Sequence, residues 1–259
     1  MSYETRDKRD KTLIKNIMVD NIRNILEFYQ VLGFERLPIK LVLKSGRQNS
    51  AEVHKSGNNF RASELPSFRT SEQKETALNT LREEIGDCKR CKLSKGRTHI
   101  VFGEGNPGAR LMFIGEAPGR EEDLQARPFV GGAGMLLSRL IEKMGLKRND
   151  VYIANIVKCR PPSNRDPEMD EIEQCRGFIE KQIEIIHPEI IMTLGRISAQ
   201  TLMGNMKLKI TATRGNFFDY NGIPLMPTFH PAYLIRNPKD KWLTWSDAQK
   251  VIEKLKNKG

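Results

Sequence analysis

The chain has 259 residues, 38% of them hydrophobic, which suits one sizeable α/β domain with an appendage, or two small domains. Its formal charge of +11 points to a polyanionic partner, and no apolar run is long enough to span a bilayer. The mixed-charge stretch from Met1 to Lys11 has no hydrophobic signal region, so a cytoplasmic protein without membrane attachment is expected.

Between Lys11 and Leu32, apolar residues fall at Ile14, Met18, Ile22, Ile25, Tyr29 and Leu32. Steps of three and four describe one face of a helix, with Gly33 as its stop. From Phe34 to Thr70 the periodicity is lost in Ser, Asn, Gly and Lys, which reads as a linker. The expected organisation is therefore 1–72, a helical N-terminal extension, and 73–259, an α/β domain. A helix is predicted over Ser71–Ile85, followed by a basic stretch with Lys89, Arg90, Lys92, Lys95 and Arg97. Such a stretch suits a phosphate backbone, because no amphipathic membrane anchor accompanies it. Strands are predicted at Leu111–Ile114, Val151–Val157, Ile190–Leu194 and Leu225–Phe229. Helices alternate with them at about Ala133–Met144, Pro167–Ile186, Arg196–Met203 and Trp242–Lys256. This alternation predicts a largely parallel sheet with helices on both faces. Asn221-Gly222, flanked by apolar residues, predicts a type I′ hairpin.

The first strand stops at Gly115-Glu116-Ala117-Pro118-Gly119, a turn that places Arg120-Glu121-Glu122-Asp123 at the carboxyl edge of the sheet. Arg127-Pro128-Phe129-Val130-Gly131-Gly132 adds an aromatic ring and a second Gly turn. Asn155 is expected to end an otherwise apolar strand, the second, and His230-Pro231 follows the fourth. His187-Pro188 precedes a strand and is assigned to a turn; His54 and His99 receive no role. All four cysteines enter one pattern: Cys88-x-x-Cys91, then Cys159 after 67 residues and Cys175 after 15 more. In a cytoplasmic protein this favours metal binding over disulfides. A zinc ribbon supplies two tight pairs, whereas four thiolates from separate elements also suit a [4Fe–4S] cluster.

These motifs together resemble the family 4 uracil-DNA glycosylases, the iron–sulfur branch of their superfamily. The resemblance rests on the cysteine spacing, on G-E-A-P-G with E-E-D and R-P-F-V-G, on the run from Tyr152 to Pro162, and on His230-Pro231-Ala232-Tyr233-Leu234-Ile235-Arg236. It covers about residues 78 to 256 and implies a three-layer α/β/α fold that removes uracil from DNA, single- or double-stranded. The cluster on Cys88, Cys91, Cys159 and Cys175 is then structural, and the enzyme a monomer. An enzyme acting on a base must unstack it and hold it in a pocket. Gly115 and Ala117 are expected to border that pocket, Phe129 to stack on the base, and Asn155 to pair with its edge. His230 is expected to donate to the departing uracil, with Glu116 and Glu122 as the carboxylates nearest the attacking water. Glu121 and Asp123 are expected to be solvated loop acids. Ala117 stands where family 1 enzymes carry an Asp base, and Gly119 where they carry a Tyr. Leu234 is the expected wedge that fills the place of the flipped base, with Tyr233 and Ile235 as alternatives. Arg236, Lys89 and Arg90 are expected on phosphates. The rival readings are a non-catalytic binder of damaged DNA and a zinc-stabilised nucleic-acid module. For residues 1–72 the options are docking on the core, recruiting a repair or replication partner, or neither.

Overall fold

Every residue of β2 (Leu111–Gly115) is buried, because its side chains alternate between two apolar layers, one on each face of a sheet. The computed structural model describes residues 70–257; the helix expected over Lys11–Leu32 and the linker after it lie outside them. Six strands form one sheet in the order β1-β3-β2-β4-β6-β5. The inner four, β2, β3 (Tyr152–Asn155), β4 (Ile190–Leu194) and β6 (Ile223–Thr228), run parallel. The edge strands β1 (Glu104–Gly105) and β5 (Phe218–Tyr220) are antiparallel to their neighbours.

The pleat sorts the core. Met112, Ile114 and Ile191 point to one side, where they meet Leu81 and Ile85 of α1 (Ser71–Ile85). On the same side lie Ile172, Cys175, Ile179 and Ile183 of a long helix over Met169–Ile186. Leu111, Phe113, Met192 and Met226 point to the other side, against Leu137, Leu140 and Ile141 of the helix Gly132–Lys143 and Trp245, Ala248 and Val251 of the helix Lys241–Lys256. This is the expected three-layer α/β/α arrangement.

In chain order the remaining helices are α2 (Arg120–Gln125), α3 (Gly132–Lys143), α4 (Met169–Ile186), α5 (Arg196–Met203), α6 (Ile210–Thr213), α7 (Pro231–Arg236) and α8 (Lys241–Lys256). Thr70 caps α1 reciprocally with Gln73. His187 ends α4 in the left-handed region, the turn role expected of it. Asn221 and Gly222 both have positive φ, as a type I′ hairpin requires.

The chain leaves β2 through α3, on one face, to β3 on one side of it, and then crosses from β3 through α4, on the other face, to β4 on the other side of β2. Such a reversal opens a crevice beyond the carboxyl ends of the central strands. Two local differences from expectation matter there. β3 ends at Asn155 instead of Val157; Ile156 and Val157 donate to the Gly115 and Glu116 carbonyls and carry the chain along the crevice. The segment after His230 is helical, since His230 serves as N-cap and Pro231 takes the first helical position.

Candidate functional site

The crevice holds a cavity of about 370 Å³ lined by Glu116, Ala117, Glu122, Phe129, Asn155, His230 and Arg236, among others. Glu116, Asn155 and His230, 39 to 114 positions apart in the chain, thus meet because each ends a parallel strand or follows one. A wider, shallower groove between α1 and α4 is lined by Glu72, Thr76, Thr80 and Glu184 and contains none of the strand-end residues.

Asn155 sits at the floor. It is 1% exposed, and its Oδ1 has no hydrogen-bond partner. Leaving a buried polar atom unpaired costs about 1–3 kcal/mol, so an acceptor held this way marks a ligand site. Gly115 is what admits it. A Cβ there would collide with Asn155 Oδ1 and stand 2.5 Å from Phe129 Cζ. The Phe129 ring lies 5.7 Å from that of His230, tilted by 35°. Phe129 itself is held at φ 53°, an uncommon conformation for an aromatic residue. Glu122 fixes it there: its Oε1 accepts from the Val130 and Gly131 N–H groups, both at 2.9 Å. Gly134 lets α3 approach the Phe129 carbonyl, where any side chain would overlap it.

His230 Nδ1 accepts from the Ala232 N–H at 3.1 Å. An accepting Nδ1 carries no proton, so in the neutral ring the proton sits on Nε2. Burial lowers the pKa of His230 to about 4; Arg236 adds to this and Glu122 opposes it. The ring is therefore a neutral donor at physiological pH. Gly195, at φ 99°, leaves room for it, since a Cβ would lie 2.9 Å from His230 Cβ. The Glu116 carboxylate, unlike its main-chain carbonyl, accepts no hydrogen bond from the described residues. Burial raises its carboxyl to about 7, Asp166 pushes in the same direction, and Arg196 opposes both. A carboxylate near neutrality in a cleft is placed to exchange a proton.

Several expectations change. Asp123 is not a solvated acid: it is buried, and its carboxylate accepts from Thr98 N at 2.8 Å and His99 N at 3.2 Å, tying α2 to the loop before β1. Leu234 is 3% exposed and faces Leu137 and Leu140 of α3, whereas Ile235, one residue on, is 49% exposed. The helical turn after His230 sends position 234 inward, which does not suit a wedge, and leaves Ile235, the alternative named from the sequence, on the surface. Leu234→Ala is expected to destabilise the fold by about 3 kcal/mol and Ile235→Ala by no more than about 0.5, measured by chemical denaturation. Arg90 is engaged away from the crevice, with Nη1 3.2 Å from Cys88 Sγ and its guanidinium 4.9 Å from the centre of the Phe178 ring. Lys89 is exposed beside Asp87 at 3.3 Å.

The loop Pro161–Asp166, to which the sequence motifs assign no role, also lines the cavity, through Pro161, Asn164, Arg165 and Asp166. Its signal was legible: a Pro-rich polar run directly after a strand. Asp166 pairs with Arg196 at 2.5 Å, which brings α5 to the same edge.

Cys88, Cys91, Cys159 and Cys175 converge on a small enclosed cavity with Arg97, Lys158 and Phe178. Cationic and N–H groups face the sulfurs. Arg97 Nη1 lies 3.5 Å from Cys159 Sγ, and the Lys158 N–H donates to Cys175 Sγ at 3.3 Å. Burial raises the Cys159 thiol to about 12, so a bound metal must supply the charge that deprotonates it. Among the described residues no three Cys, His, Asp or Glu side chains are gathered closely enough for a single ion. Four thiols around one small cavity, with donors aimed at the sulfurs, are a donor set that fits a cluster.

Comparison with known proteins agrees with this geometry. Residues 102–256 match the model of the uracil DNA glycosylase superfamily. Three similar relatives are each called Type-4 uracil-DNA glycosylase. The protein of Saccharolobus solfataricus is 48% identical over 70% of this chain and 88% of its own length. That of Sulfurisphaera tokodaii is 46% identical over 68% and 84%. That of Thermotoga maritima is 43% identical over 72% and 98%. The match begins at Phe102, ahead of β1, and ends with α8, so it takes in every strand and every strand end that lines the crevice: the chain belongs to the uracil DNA glycosylase superfamily.

Proposed function

We propose that this protein is a monofunctional uracil-DNA glycosylase, which hydrolyses the N-glycosidic bond of deoxyuridine in DNA. The carrying observation is the unpaired Asn155 Oδ1 in the same cavity as a neutral His230. Uracil presents an N3–H donor beside a C4 carbonyl, which suits an amide that accepts and donates. Cytosine presents an acceptor and an amine there, so the same amide orientation rejects it. Phe129 stacks on the flipped ring, and Gly115 and Ala117 border it. As the C1′–N1 bond breaks, its electron pair leaves with uracil and charge builds on the C2 oxygen. His230 Nε2–H is the donor for that oxygen. Water adds to C1′ and gives its proton to Glu116, leaving an abasic site and the uracil anion, which takes a proton from water to leave as free uracil while Glu116 returns its own to solvent. Glu122 acts through Phe129, by holding the loop that carries it. No lysine lies among the described residues lining the cavity, and the reading accordingly includes no strand cleavage.

A [4Fe–4S] cluster on the four cysteines, with a structural role, completes this reading. Arg236 at the cavity rim and Lys89 are the phosphate contacts, and DNA in either single- or double-stranded form is the partner. A cytoplasmic monomer divided near residue 72 accords with it; no helix among the described residues is long and apolar enough to cross a membrane.

Incubation with a uracil-containing oligonucleotide followed by alkali should cleave at the uracil, and an intact strand would refute the activity. The pH dependence tests the roles. Glu116 must be ionised to take a proton, and its carboxyl is held at about 7. The single-turnover rate should therefore rise about tenfold per pH unit below that value and level off above it. His230, lowered to about 4, stays neutral throughout and adds no second limb. A flat profile in the wild type, or an unchanged limb in Glu116→Gln, would remove Glu116 from the mechanism.

A further inference from the structure

Lys158 is the most deeply buried cation of the described residues, 1% exposed, and the mechanism above does not use it. Its Nζ donates to the main-chain carbonyl of Asn155 at 2.8 Å and to Gln182 Oε1 at 2.6 Å. Gln182 is itself fixed, since its Nε2 donates to the Phe102 carbonyl at 3.0 Å and to Tyr152 Oη at 3.3 Å. At the other end of the residue, the Lys158 N–H meets Cys175 Sγ at 3.3 Å, and the next residue is Cys159. One residue thus joins the cysteine cavity to the peptide that carries the base-reading amide.

A lysine here is costly. Burying an ammonium or amine is repaid only through good hydrogen bonds, and a buried Met or Leu would fill the space without that demand. What the amine adds is direction. Asn155 ends its strand: the N–H of the peptide that follows it, on Ile156, donates to the Gly115 carbonyl at 3.0 Å, and the carbonyl of that same peptide takes the Lys158 amine, so the amine completes the pair of bonds that sets the peptide's tilt. The side-chain amide turns with the peptide, and its Oδ1 has no other partner to hold it.

We infer that Lys158 is a positioning residue: it fixes the Asn155 peptide against the cysteine-bearing loop and Gln182, and so sets the angle at which the Asn155 amide meets uracil. This rests on Asn155 reading the base, and the two ideas are separable by experiment.

The test uses the full-length, iron-loaded protein. Lys158→Met keeps the length and removes the donor. It should weaken inhibition by free uracil and slow single-turnover excision by about tenfold to a hundredfold, the scale of a small misplacement of a contact group. Iron per chain and affinity for an abasic-site duplex should stay at wild-type values. In an Asn155→Ala background, Lys158→Met should change uracil inhibition less than about twofold, because linked residues are not additive. Against His230→Ala the effects on excision should multiply. A full additional loss in the Asn155→Ala background would overturn the inference, as would loss of iron in proportion to activity. If Asn155→Ala alone leaves uracil inhibition unchanged, it is the reading of Asn155 that fails. Should Lys158→Met not fold, Gln182→Leu removes the second acceptor that orients the amine. It should give a smaller loss of uracil inhibition that likewise vanishes in Asn155→Ala; persistence of that loss would overturn the inference.

Discussion

His230→Ala should slow single-turnover excision of uracil by about a hundredfold to a thousandfold, the effect of removing one well-placed donor from a developing oxyanion. Affinity for a duplex carrying an abasic site should change little, because the donor acts on charge that appears only as the bond breaks. The side chain has a second duty that must be separated from the first. Its Nδ1 caps the Ala232 N–H at the start of α7, and loss of a cap costs about 1 kcal/mol. His230→Asn keeps a capping acceptor and withdraws the donor from the cavity. It should therefore restore the melting temperature of the Ala variant without restoring the rate. A His230→Asn enzyme of wild-type rate would exclude the oxyanion role.

Cys159→Ala should lose iron and soluble protein together. Folding of a domain of this size is favoured by roughly 5–15 kcal/mol, and structural metal binding supplies on the order of 10 kcal/mol where it has been measured for zinc. Removing one of four ligands forfeits a share of that large enough to decide whether the chain folds. The geometry adds a local reason. The cavity is closed by Ile85 of α1, Phe178 of α4 and Arg97, whose Nη1 also donates to the Cys88 carbonyl at 2.7 Å. Without a cluster, the Arg97 guanidinium and the Lys158 N–H face sulfurs with no charge to balance. Purified protein should show a broad visible absorption in the wild type and none in the variant. A stable, iron-free and fully active Cys159→Ala would show that the cluster is dispensable.

The central strands and the long helices were legible because their side chains repeat with the period of the element, and burial on two faces leaves little room for other solutions. Ile190–Leu194 and Arg196–Met203 have the bounds that the sequence predicts. Asn155 and His230 stood out for a related reason: each is polar at the end of an apolar strand, where a parallel sheet presents its carboxyl edge. The short elements were harder. The six residues of α7 contain under two turns, so no period can set its phase, and packing against α3 turned Leu234 inward and Ile235 outward. Asp123 looked like one more acid in a charged run, yet the backbone of Thr98 and His99, some 25 residues earlier, draws it inside.

The sequence by itself determined the layered α/β architecture, the four-cysteine set and the identities of the groups at the strand ends, because periodicity and residue chemistry are local properties. Tertiary structure alone decided their states. The proton of His230 sits on Nε2 because of a backbone N–H in α7, and Glu116 is raised toward neutrality by burial beside Asp166. Glu122 became the clamp on the Phe129 loop, Arg90 the partner of Cys88, and Lys158 the support beneath Asn155, each through a neighbour that lies in another element or beyond a turn. Protonation, tautomer and hydrogen-bond direction depend on fields and contacts through space, and these exist only once the strands have been brought side by side.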